Sequence, residues 1–523
     1  MKSAGHRLTS ATLAAASSLL FASSGLSAAP AQPPGVAWLT AAADTDIDRA
    51  FAEAHESRKP VLLYWGAKWC PPCNQLKAQL FNRQDFIERS RAFVAVNIDG
   101  DLPGAQKLGA RFKVRGYPTM IMLNADGAEI MRLPGEVDAA RVLDLLQLGL
   151  SGGRPAKAVL SDARAGKALN ANEWRMLAFY SWDTDEAQLV SEAQRPALLA
   201  ELAATCPPAQ AVASMRLLLR ALAESDGSVK VTTAQRSRVR QLLADPAAAR
   251  RQADLLTSSA TDLVKALSSA NSTERRSMTA AFDAMLVGLQ SDPALSRADR
   301  MGALVARIDL ARLGQPEETL TPAIPGALLK EARDMAAQAD RGITDGYERQ
   351  AVIPAAAHTL SSAGLWKESD ALLMSNLERS HSAYYLMSQL GSNARKQGRN
   401  DEALRWYEQA YAGSEGPATR LQWGAGYLSA LVELKPQDSA RIERTASALI
   451  GEAAAQPNAF YERSARSLQR AGKRLAGWNT SPERAAVVQR LRTQLGTVCG
   501  KLDAADPQRA TCDALLAPVK PES

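Results

Sequence analysis

The segment from residue 61 to residue 73 constrains the fold of this chain more than any other. It opens with a continuous apolar run, Val61-Leu62-Leu63-Tyr64-Trp65, and after a short loop reaches Cys70-Pro71-Pro72-Cys73. Such a run is typical of a strand that is buried on both faces. Prolines are tolerated in the first turn of a helix, where their missing N–H groups have no helical partner anyway. The segment therefore predicts a central strand, a loop and a helix that begins at the cysteine pair.

Cys70 and Cys73 are one helical turn apart, which suits a redox couple, half of a metal site or a structural clip. A tetrahedral metal site needs about four ligands. The chain has no second pair with this spacing, and His55 completes only a poor site. A bridge across a single turn closes a very short loop and stabilises little. We therefore expect no metal, while the motif alone leaves a redox couple and a structural disulfide open.

Strand and helix patterns alternate around this segment up to residue 150. The hairpin signal is Asn124-Ala125-Asp126-Gly127, an Asp-Gly turn between two short strands. The order predicts a βαβ unit followed by a β-hairpin and a closing helix. The predicted helices are 46–58, 70 to about 82, 105–112 and 137–150, and the predicted strands are 61–65, 92–98, 119–123 and 128–133.

The segment from Pro60 to Leu150 resembles a thioredoxin-fold domain. The resemblance is carried by Trp65-Gly66-Ala67-Lys68 before the cysteine motif, by Val96-Asn97-Ile98-Asp99, and by Val114-Arg115-Gly116-Tyr117-Pro118-Thr119. Two further stretches, 59–61 and 80–86, resemble the exported branch that includes the C-terminal domains of membrane disulfide reductases. The resemblance implies an α/β thioredoxin fold, with a central mixed sheet flanked by helices, over residues 35–150.

Thiol–disulfide exchange requires a thiolate, and the N-terminus of a helix stabilises negative sulfur. We assign the attacking role to Cys70 and the resolving role to Cys73, which would alternate between a dithiol and a Cys70–Cys73 disulfide without a cofactor. The resemblance also implies that Pro118 is cis and that substrate is contacted by Trp69, Tyr117, Pro118 and Thr119.

Two departures from the thioredoxin pattern affect the chemistry. Pro71 and Pro72 cannot donate an N–H group to the Cys70 sulfur, which predicts a less stabilised thiolate and a more reducing dithiol. Many thioredoxins carry an acid six residues before the first cysteine, where this chain has Tyr64, and an accompanying lysine, where it has Ala95. The usual proton path is therefore missing, with Glu53 or water as candidate substitutes.

The N-terminus has the pattern of a signal peptide. Lys2 and Arg7 precede an uncharged apolar and small-residue stretch, and cleavage after Ala28 or Ala31 suits the sequence, so that residues 1–31 would be removed. We therefore expect a periplasmic or otherwise exported protein that is soluble after cleavage. Basic and acidic residues are interspersed along the chain, which predicts no nucleic-acid partner.

Almost everything after residue 155 is predicted to be helical. The linker Ser151-Gly152-Gly153-Arg154-Pro155 interrupts the helical patterns on both sides. Residues 156–523 predict about 18–20 helices in an all-α helical-repeat region, an α-solenoid. The clearest units, at about 355–435, resemble tetratricopeptide repeats, with small residues such as Ala394 and Ala403 where two helices touch. Such a region is expected to bind a protein partner, and the alternative is a helical stack that serves only as a spacer or a dimer surface.

The remaining cysteines predict one further bridge. Cys499 and Cys512 are close enough in sequence to form a short structural disulfide near the C-terminus, which leaves Cys206 free and buried.

Two functions fit these features. The first is an exported thiol–disulfide oxidoreductase that reduces protein disulfides and is recharged by a membrane or soluble electron donor. The alternative is a binding protein or chaperone in which the thioredoxin fold is mainly a scaffold, and the tyrosine at position 64 favours it slightly.

Overall fold

A five-stranded mixed sheet forms the centre of the first part of the chain. The computed structural model describes residues 35–102, 104–135, 138–225 and 227–517, so the predicted signal peptide lies outside the described residues. The strand order is β1-β3-β2-β4-β5, in which β2 runs parallel to β3 and antiparallel to β4. The strands are β1 (Trp38–Thr40), β2 (Val61–Gly66), β3 (Val94–Asp99), β4 (Thr119–Leu123) and β5 (Glu129–Leu133).

Helices cover both faces of this sheet. They are α1 (Asp44–Ser57), α2 (Pro71–Gln79), α3 (Gln84–Ser90), α4 (Ala105–Arg111) and α5 (Ala139–Leu150). Because successive strand residues point to opposite faces, Val61, Leu63 and Trp65 share one core with α1. Leu62 and Tyr64 lie on the other face, in a core with Leu76 of α2. The predicted thioredoxin fold, with helices around a mixed sheet, is confirmed.

Two details of the sheet part differ from the predictions. The helix predicted to run to about residue 82 ends at Gln79, and a separate helix, α3, follows four residues later. Leu80 and Phe81 in the gap are nevertheless buried. The three-residue strand β1 was not predicted, because so short a segment carries too few residues to show a period of two.

The rest of the described chain is helical, as predicted. Within residues 156–517, twenty α-helices are described, in agreement with the expected 18–20. They are α6 (Ala156–Arg164), α7 (Ala171–Phe179), α8 (Arg195–Thr205), α9 (Ala211–Ala223), α10 (Thr233–Ala244), α11 (Pro246–Arg250), α12 (Ala253–Ser258), α13 (Ala260–Leu267), α14 (Thr273–Ser291), α15 (Arg297–Arg312), α16 (Gly326–Gly342), α17 (Gly346–Ser362), α18 (Trp366–Ser375), α19 (Ala383–Lys396), α20 (Asn400–Gly413), α21 (Pro417–Leu434), α22 (Ser439–Ala454), α23 (Glu462–Trp478), α24 (Pro482–Cys499) and α25 (Pro507–Ala514). No helix in the described part combines the length and apolar character needed to cross a membrane.

The hydrophobic core continues from the sheet into the first helices of this region. Leu145 and Leu146 of α5 belong to one buried cluster with Val159 of α6 and with Trp174 and Phe179 of α7. The loop between α5 and α6 spans residues 151–155. It therefore joins two helices that share a core.

The segment with tetratricopeptide-like spacing forms a close helix pair, α19 and α20. Ala394 and Ala403 are fully buried, and a methyl group placed on Gly391 would meet the ring of Tyr407 at 2.9 Å. Small residues thus lie where the two helices touch. The assignment to tetratricopeptide repeats itself stays a prediction.

Later helices return to the sheet part of the chain. Helix α17 packs against α2, the helix that begins at the cysteine pair, and α23 packs against α4. These contacts bring residues more than 250 positions away in sequence to the edge of the sheet where the cysteines lie.

Candidate functional site

The cysteine pair lies at the N-terminus of α2, as predicted. Cys70 caps the helix with extended backbone, and Pro71 and Pro72 occupy its first turn. The two cysteines form a disulfide, with 5.3 Å between their Cα atoms. The backbone N–H of Cys73 donates to the Cys70 sulfur at 3.2 Å. The prolines therefore remove two backbone donors from this turn, but the Cys73 amide still supports the Cys70 sulfur.

Asn74 holds the loop before the helix, a role that sequence reasoning missed. Its side chain is fully buried, and its Nδ2 group donates to the carbonyl oxygens of Lys68 and Cys70, at 2.8 Å each. Both acceptors lie immediately before α2, so Asn74 fixes the path of the chain into the disulfide. An asparagine directly after a cysteine motif is the only local signal for this role.

The predicted substrate-contact residues Tyr117, Pro118 and Thr119 lie beside the disulfide. The Tyr117–Pro118 peptide bond is cis, and Tyr117 packs against the cluster formed by Cys70 and Cys73. Thr119 is fully buried, and its hydroxyl donates to the Gly116 carbonyl oxygen at 2.8 Å. Thr119 therefore holds the loop, whereas Tyr117 and Pro118 line a cavity beside it.

Trp69, the fourth predicted contact residue, is held by the helical region. Its indole N–H donates to Thr419 Oγ1 at 2.9 Å, and its backbone oxygen accepts from Gln350 Nε2 at 2.9 Å. Its ring stacks on Tyr385 and meets Trp423 edge-on, with centroids 5.9 and 5.1 Å away. The side of the disulfide next to Trp69 is thus covered, and Cys70 is only 2% exposed.

A buried polar network extends this cover. Thr419 donates its hydroxyl hydrogen to Asp101 Oδ1 at 2.5 Å, and Asp101 pairs with Arg463 at 2.9 Å. Burial raises the pKa of Asp101, and the Arg463 charge opposes that shift. The Arg463 guanidinium also lies 5.2 Å from the ring of Trp69 and 5.0 Å from that of Tyr117. One arginine of α23 therefore contacts three residues around the disulfide.

Tyr64 replaces the acid found in many thioredoxins, and it cannot serve as a base. Burial raises the pKa of Tyr64 far above its ordinary value, and the negative charge of Asp99 adds to the shift. Its hydroxyl is buried without a hydrogen-bond partner. Glu53, the suggested substitute, is exposed on α1, which covers the face of the sheet opposite to α2. Glu53 is therefore unsuited to exchange protons with Cys73.

A cavity of about 370 Å³ adjoins the Tyr117–Pro118 peptide. On the sheet side, Gly135 passes so close that a methyl group there would meet Pro118 Cγ at 2.6 Å. The opposite wall comes from the helical region and is mostly polar. It consists of Ser181, Asp183, Thr184, Arg220, Ala223, Glu224, Asp254, Leu255, Ser258 and Ser259.

The charges in this wall compensate one another. Arg220 lies 2.7 Å from Asp183 and 3.3 Å from Glu224, and Asp254 pairs with Arg216 at 2.5 Å. Burial disfavours the ionised form of Asp183, but the Arg220 guanidinium more than offsets it and lowers the pKa of that carboxyl. Each carboxylate of this wall therefore has an arginine within ion-pair distance.

The other cysteines lie away from this site. Cys499 and Cys512 form a disulfide between α24 and α25, and Cys206 is free and buried. Burial raises the pKa of the Cys206 thiol to about 11, so this thiol is unreactive near neutral pH. Among the described residues, no cluster of three or more histidine, cysteine or acidic side chains could hold a metal ion.

The mixed sheet and the disulfide at the start of α2 define a protein with a thioredoxin-type fold. A family model described as a thioredoxin-like domain matches residues 47–149. The chain is 32% identical over 87 residues to a thioredoxin of Mycolicibacterium smegmatis. The aligned region covers 17% of this chain and 75% of that thioredoxin. The chain therefore belongs to the thioredoxin-like family.

Larger redox proteins match the same region. The chain is 31% identical over 124 residues to the thiol:disulfide interchange protein DsbD 1 of Pseudomonas aeruginosa, covering 23% of this chain and 21% of that protein. It thus spans about a fifth of the length of that relative. A solution structure of a thioredoxin from Thermus thermophilus is 29% identical, with 21% of this chain and 83% of the other covered and a TM-score of 0.19.

Proposed function

We propose that this protein is an exported thiol–disulfide oxidoreductase that reduces protein disulfides through Cys70 and Cys73. The observation that carries the proposal is the Cys70–Cys73 disulfide at the N-terminus of α2, packed against Tyr117. Helix N-termini stabilise thiolates, and a second thiol one turn away can resolve a mixed disulfide. The names of the interchange and thioredoxin relatives support the same class of reaction.

The reaction begins with the reduced dithiol. The Cys70 thiolate attacks one sulfur of a substrate disulfide, a Cys70–substrate disulfide forms, and the other substrate sulfur leaves as a thiolate and takes up a proton. The Cys73 thiolate then attacks the Cys70 sulfur and releases the second substrate thiol. The substrate has gained two electrons and two protons, and the protein is left with its Cys70–Cys73 disulfide. A dithiol electron donor must reduce this disulfide before the next cycle.

The prolines favour the reducing direction. Pro71 and Pro72 have no N–H group to donate to the Cys70 sulfur. The backbone N–H of Cys73 is the donor that this sulfur has in the structure. Fewer donors stabilise the thiolate less, and a less stable thiolate makes the dithiol the stronger reductant. A measured reduction potential near the oxidising end of the known thiol–disulfide range would exclude this part of the proposal.

The helical region limits what reaches the disulfide. Because Trp69 is covered by Thr419, Tyr385 and Trp423, we place the substrate segment in the cavity beside Tyr117 and Pro118. A cavity of this size accommodates a short extended segment and excludes a folded surface. The expected substrates are therefore flexible cysteine-containing segments of exported proteins, and the electron donor is a membrane or soluble dithiol protein.

The experiment is reduction of insulin disulfides with a low concentration of dithiothreitol as electron donor. Wild type should accelerate the reaction, Cys70→Ser should fall to background, and the buried control Cys206→Ala should remain active. Cys73→Ser should accumulate a mixed disulfide through Cys70 in the native compartment. Equal rates for wild type and Cys70→Ser would overturn the assignment.

A second candidate is a binding protein that uses the thioredoxin fold as a scaffold. The observation that favours it is the cover over the disulfide, which leaves Cys70 2% exposed and Cys73 fully buried. In that case wild type itself reduces insulin at the background rate and Cys73→Ser traps no partner.

A further inference from the structure

A groove between four helices of the helical region is lined by three cations that have no acidic partner among the described residues. It has a volume of about 640 Å³ and runs between α19, α20, α21 and α23. We call it the basic groove and define it by Arg395, Gly426, Ser429, Arg470, Lys473 and Arg474, which all line it. Volumes of this size are typical of ligand-binding clefts.

The cations of the groove differ in their surroundings. Arg395 at one end pairs with Glu433 at 2.8 Å, so its charge is compensated. Arg470, Lys473 and Arg474 are exposed on α23, and none of the ion pairs found among the described residues involves them. Burial and the like charge of Arg466 both lower the pKa of Arg470, as expected for a cation without a carboxylate beside it. The α23 side of the groove therefore has three cations and no acidic partner.

The floor of the groove is open. Gly426 of α21 is exposed, and a methyl group placed on it would meet no atom within 4 Å. The Ser429 hydroxyl donates to the Ala425 carbonyl oxygen at 2.7 Å, so it stays close to its own helix. Small residues thus leave room for an extended chain to lie along α21, below the three cations.

We propose that the basic groove binds an extended acidic segment of a partner protein, through ion pairs from Arg470, Lys473 and Arg474. Clusters of arginine and lysine recognise carboxylates by charge-assisted hydrogen bonds. A single-stranded nucleic acid fits less well, because it requires exposed aromatic faces on which bases stack. Tyr407 is the one aromatic residue among those that line the groove, and its ring packs against Gly391.

This site is independent of the thiol chemistry. None of its residues belongs to the cluster around Cys70, and α23 contacts that cluster through Arg463, on an earlier turn. Binding at the groove is therefore expected to recruit a partner and to leave the reduction of a small disulfide unchanged.

The test is fluorescence anisotropy of a labelled peptide that carries six glutamates between glycine–serine flanks, titrated with the full chain. The same peptide with glutamines is the neutral probe, and a labelled single-stranded oligonucleotide is the competing polyanion. The glutamate peptide should bind at least about tenfold more tightly than the glutamine peptide, and the difference should shrink as salt is raised.

Two variants of the basic groove test its charge and its open space separately. K473E/R474E reverses two charges, and G426L fills the open floor with a side chain that a helix accommodates. Each should weaken glutamate-peptide binding by about tenfold, since either the ion pairs or the space for the segment is lost. The matched control K157E/K230E reverses two exposed lysines outside the groove and should leave binding within about twofold.

Three results would overturn the proposal. The first is that the control variant weakens binding as much as K473E/R474E does. The second is that the glutamine peptide binds as tightly as the glutamate peptide. The third is that the oligonucleotide binds more tightly than the glutamate peptide and loses affinity in the same variants. In every variant, the circular dichroism spectrum and the rate of reduction of a small model disulfide should match those of wild type. These two controls distinguish a loss of peptide binding from a failure of the redox assignment.

Discussion

The indole N–H of Trp69 donates a 2.9 Å hydrogen bond to Thr419 Oγ1, on a helix 350 positions further along the chain. Thr419 is itself fully buried and donates to Asp101. One hydroxyl therefore connects the residue before the first cysteine with a buried carboxylate and with the helical region. This contact closes the Trp69 side of the disulfide.

Replacing Thr419 with valine should loosen this cover. The change keeps the shape of the side chain but leaves the Trp69 indole N–H without its acceptor and removes one of the two donors to Asp101 Oδ1, which costs about 1–3 kcal/mol. We expect the free energy of unfolding in urea to fall by that amount. The rate at which iodoacetamide modifies Cys70 in the reduced protein should rise severalfold, as measured by peptide mass mapping.

The matched control is Thr493→Val. Thr493 is exposed on α24 and bonds only to the backbone oxygen of Gln489, so neither measurement should change. If Cys70 in Thr419→Val reacts no faster than in wild type, the Trp69–Thr419 contact does not control access to the thiol.

A buried arginine joins the sheet to the wall of the cavity. The Arg132 side chain is fully buried and donates to the carbonyl oxygens of Phe112, Lys113 and Thr184 at 2.7–2.8 Å. It also pairs with Glu129 at 3.0 Å. Because Thr184 lines the cavity, Arg132 positions that wall.

Arg132→Met should destabilise the protein by about 3–5 kcal/mol, because it removes the cation that pairs with a partly buried carboxylate and one donor from each of three carbonyl oxygens. Urea unfolding followed by circular dichroism measures this loss. The exposed pair of Arg49 and Asp46 provides the control, and Arg49→Met should cost no more than about 1 kcal/mol. Similar losses for the two variants would refute the role given to Arg132.

Much of the sheet part could be predicted from local sequence. The run Val61–Trp65 and the turn Asn124–Gly127 are short-range patterns, and a strand or hairpin follows from them directly. The position of the disulfide at the start of α2 also follows, since two prolines fit only the first turn of a helix. These predictions depend on residues a few positions apart.

The cover over the disulfide could not be predicted in this way. Thr419 and Arg463 lie in helices whose sequences show only helical periodicity, and nothing local indicates that they meet Trp69 and Asp101. Neither residue forms a motif, and each gains its role from contacts across some 350 positions. Only the three-dimensional path of the helical region brings them to the site.

The pH dependence of stability should contain a contribution from Glu462. Burial, followed by the hydrogen bond and negative charge of Glu186, raises the pKa of Glu462 from 4.5 to about 7. Arg466 lies 2.8 Å from Glu462 and 3.2 Å from Glu186 and opposes this shift. The folded state therefore binds a proton at Glu462 more tightly than the unfolded chain does.

A carboxyl group whose pKa is raised by folding contributes to the free energy of unfolding while it is protonated. Its contribution to stability is therefore lost as pH rises from about 4.5 to about 7. Glu462→Gln cannot ionise and should lose less stability than wild type between pH 4.5 and pH 7. Urea unfolding at several pH values measures both slopes. Glu53→Gln, at an exposed position on α1, should follow wild type, and parallel curves for wild type and Glu462→Gln would contradict the prediction.

The disulfide between Cys499 and Cys512 should stabilise the last two helices of the described chain. It joins residues 13 positions apart, and a loop of about this length predicts a contribution of about 3 kcal/mol from the restricted unfolded state. Cys512 is fully buried, and Gly472 of α23 lies directly against the backbone of Leu515, just after α25. Loss of the bridge should therefore loosen α25 from α23.

C499A/C512A should unfold at lower urea concentration than wild type, and amide hydrogens of α25 should exchange faster. Adding a reductant should lower the stability of wild type by a similar amount. The same reductant applied to C499A/C512A reports only the Cys70–Cys73 bridge, whose short loop predicts a much smaller effect. If the reductant destabilises the variant as much as wild type, the stabilising bridge is Cys70–Cys73 and not Cys499–Cys512.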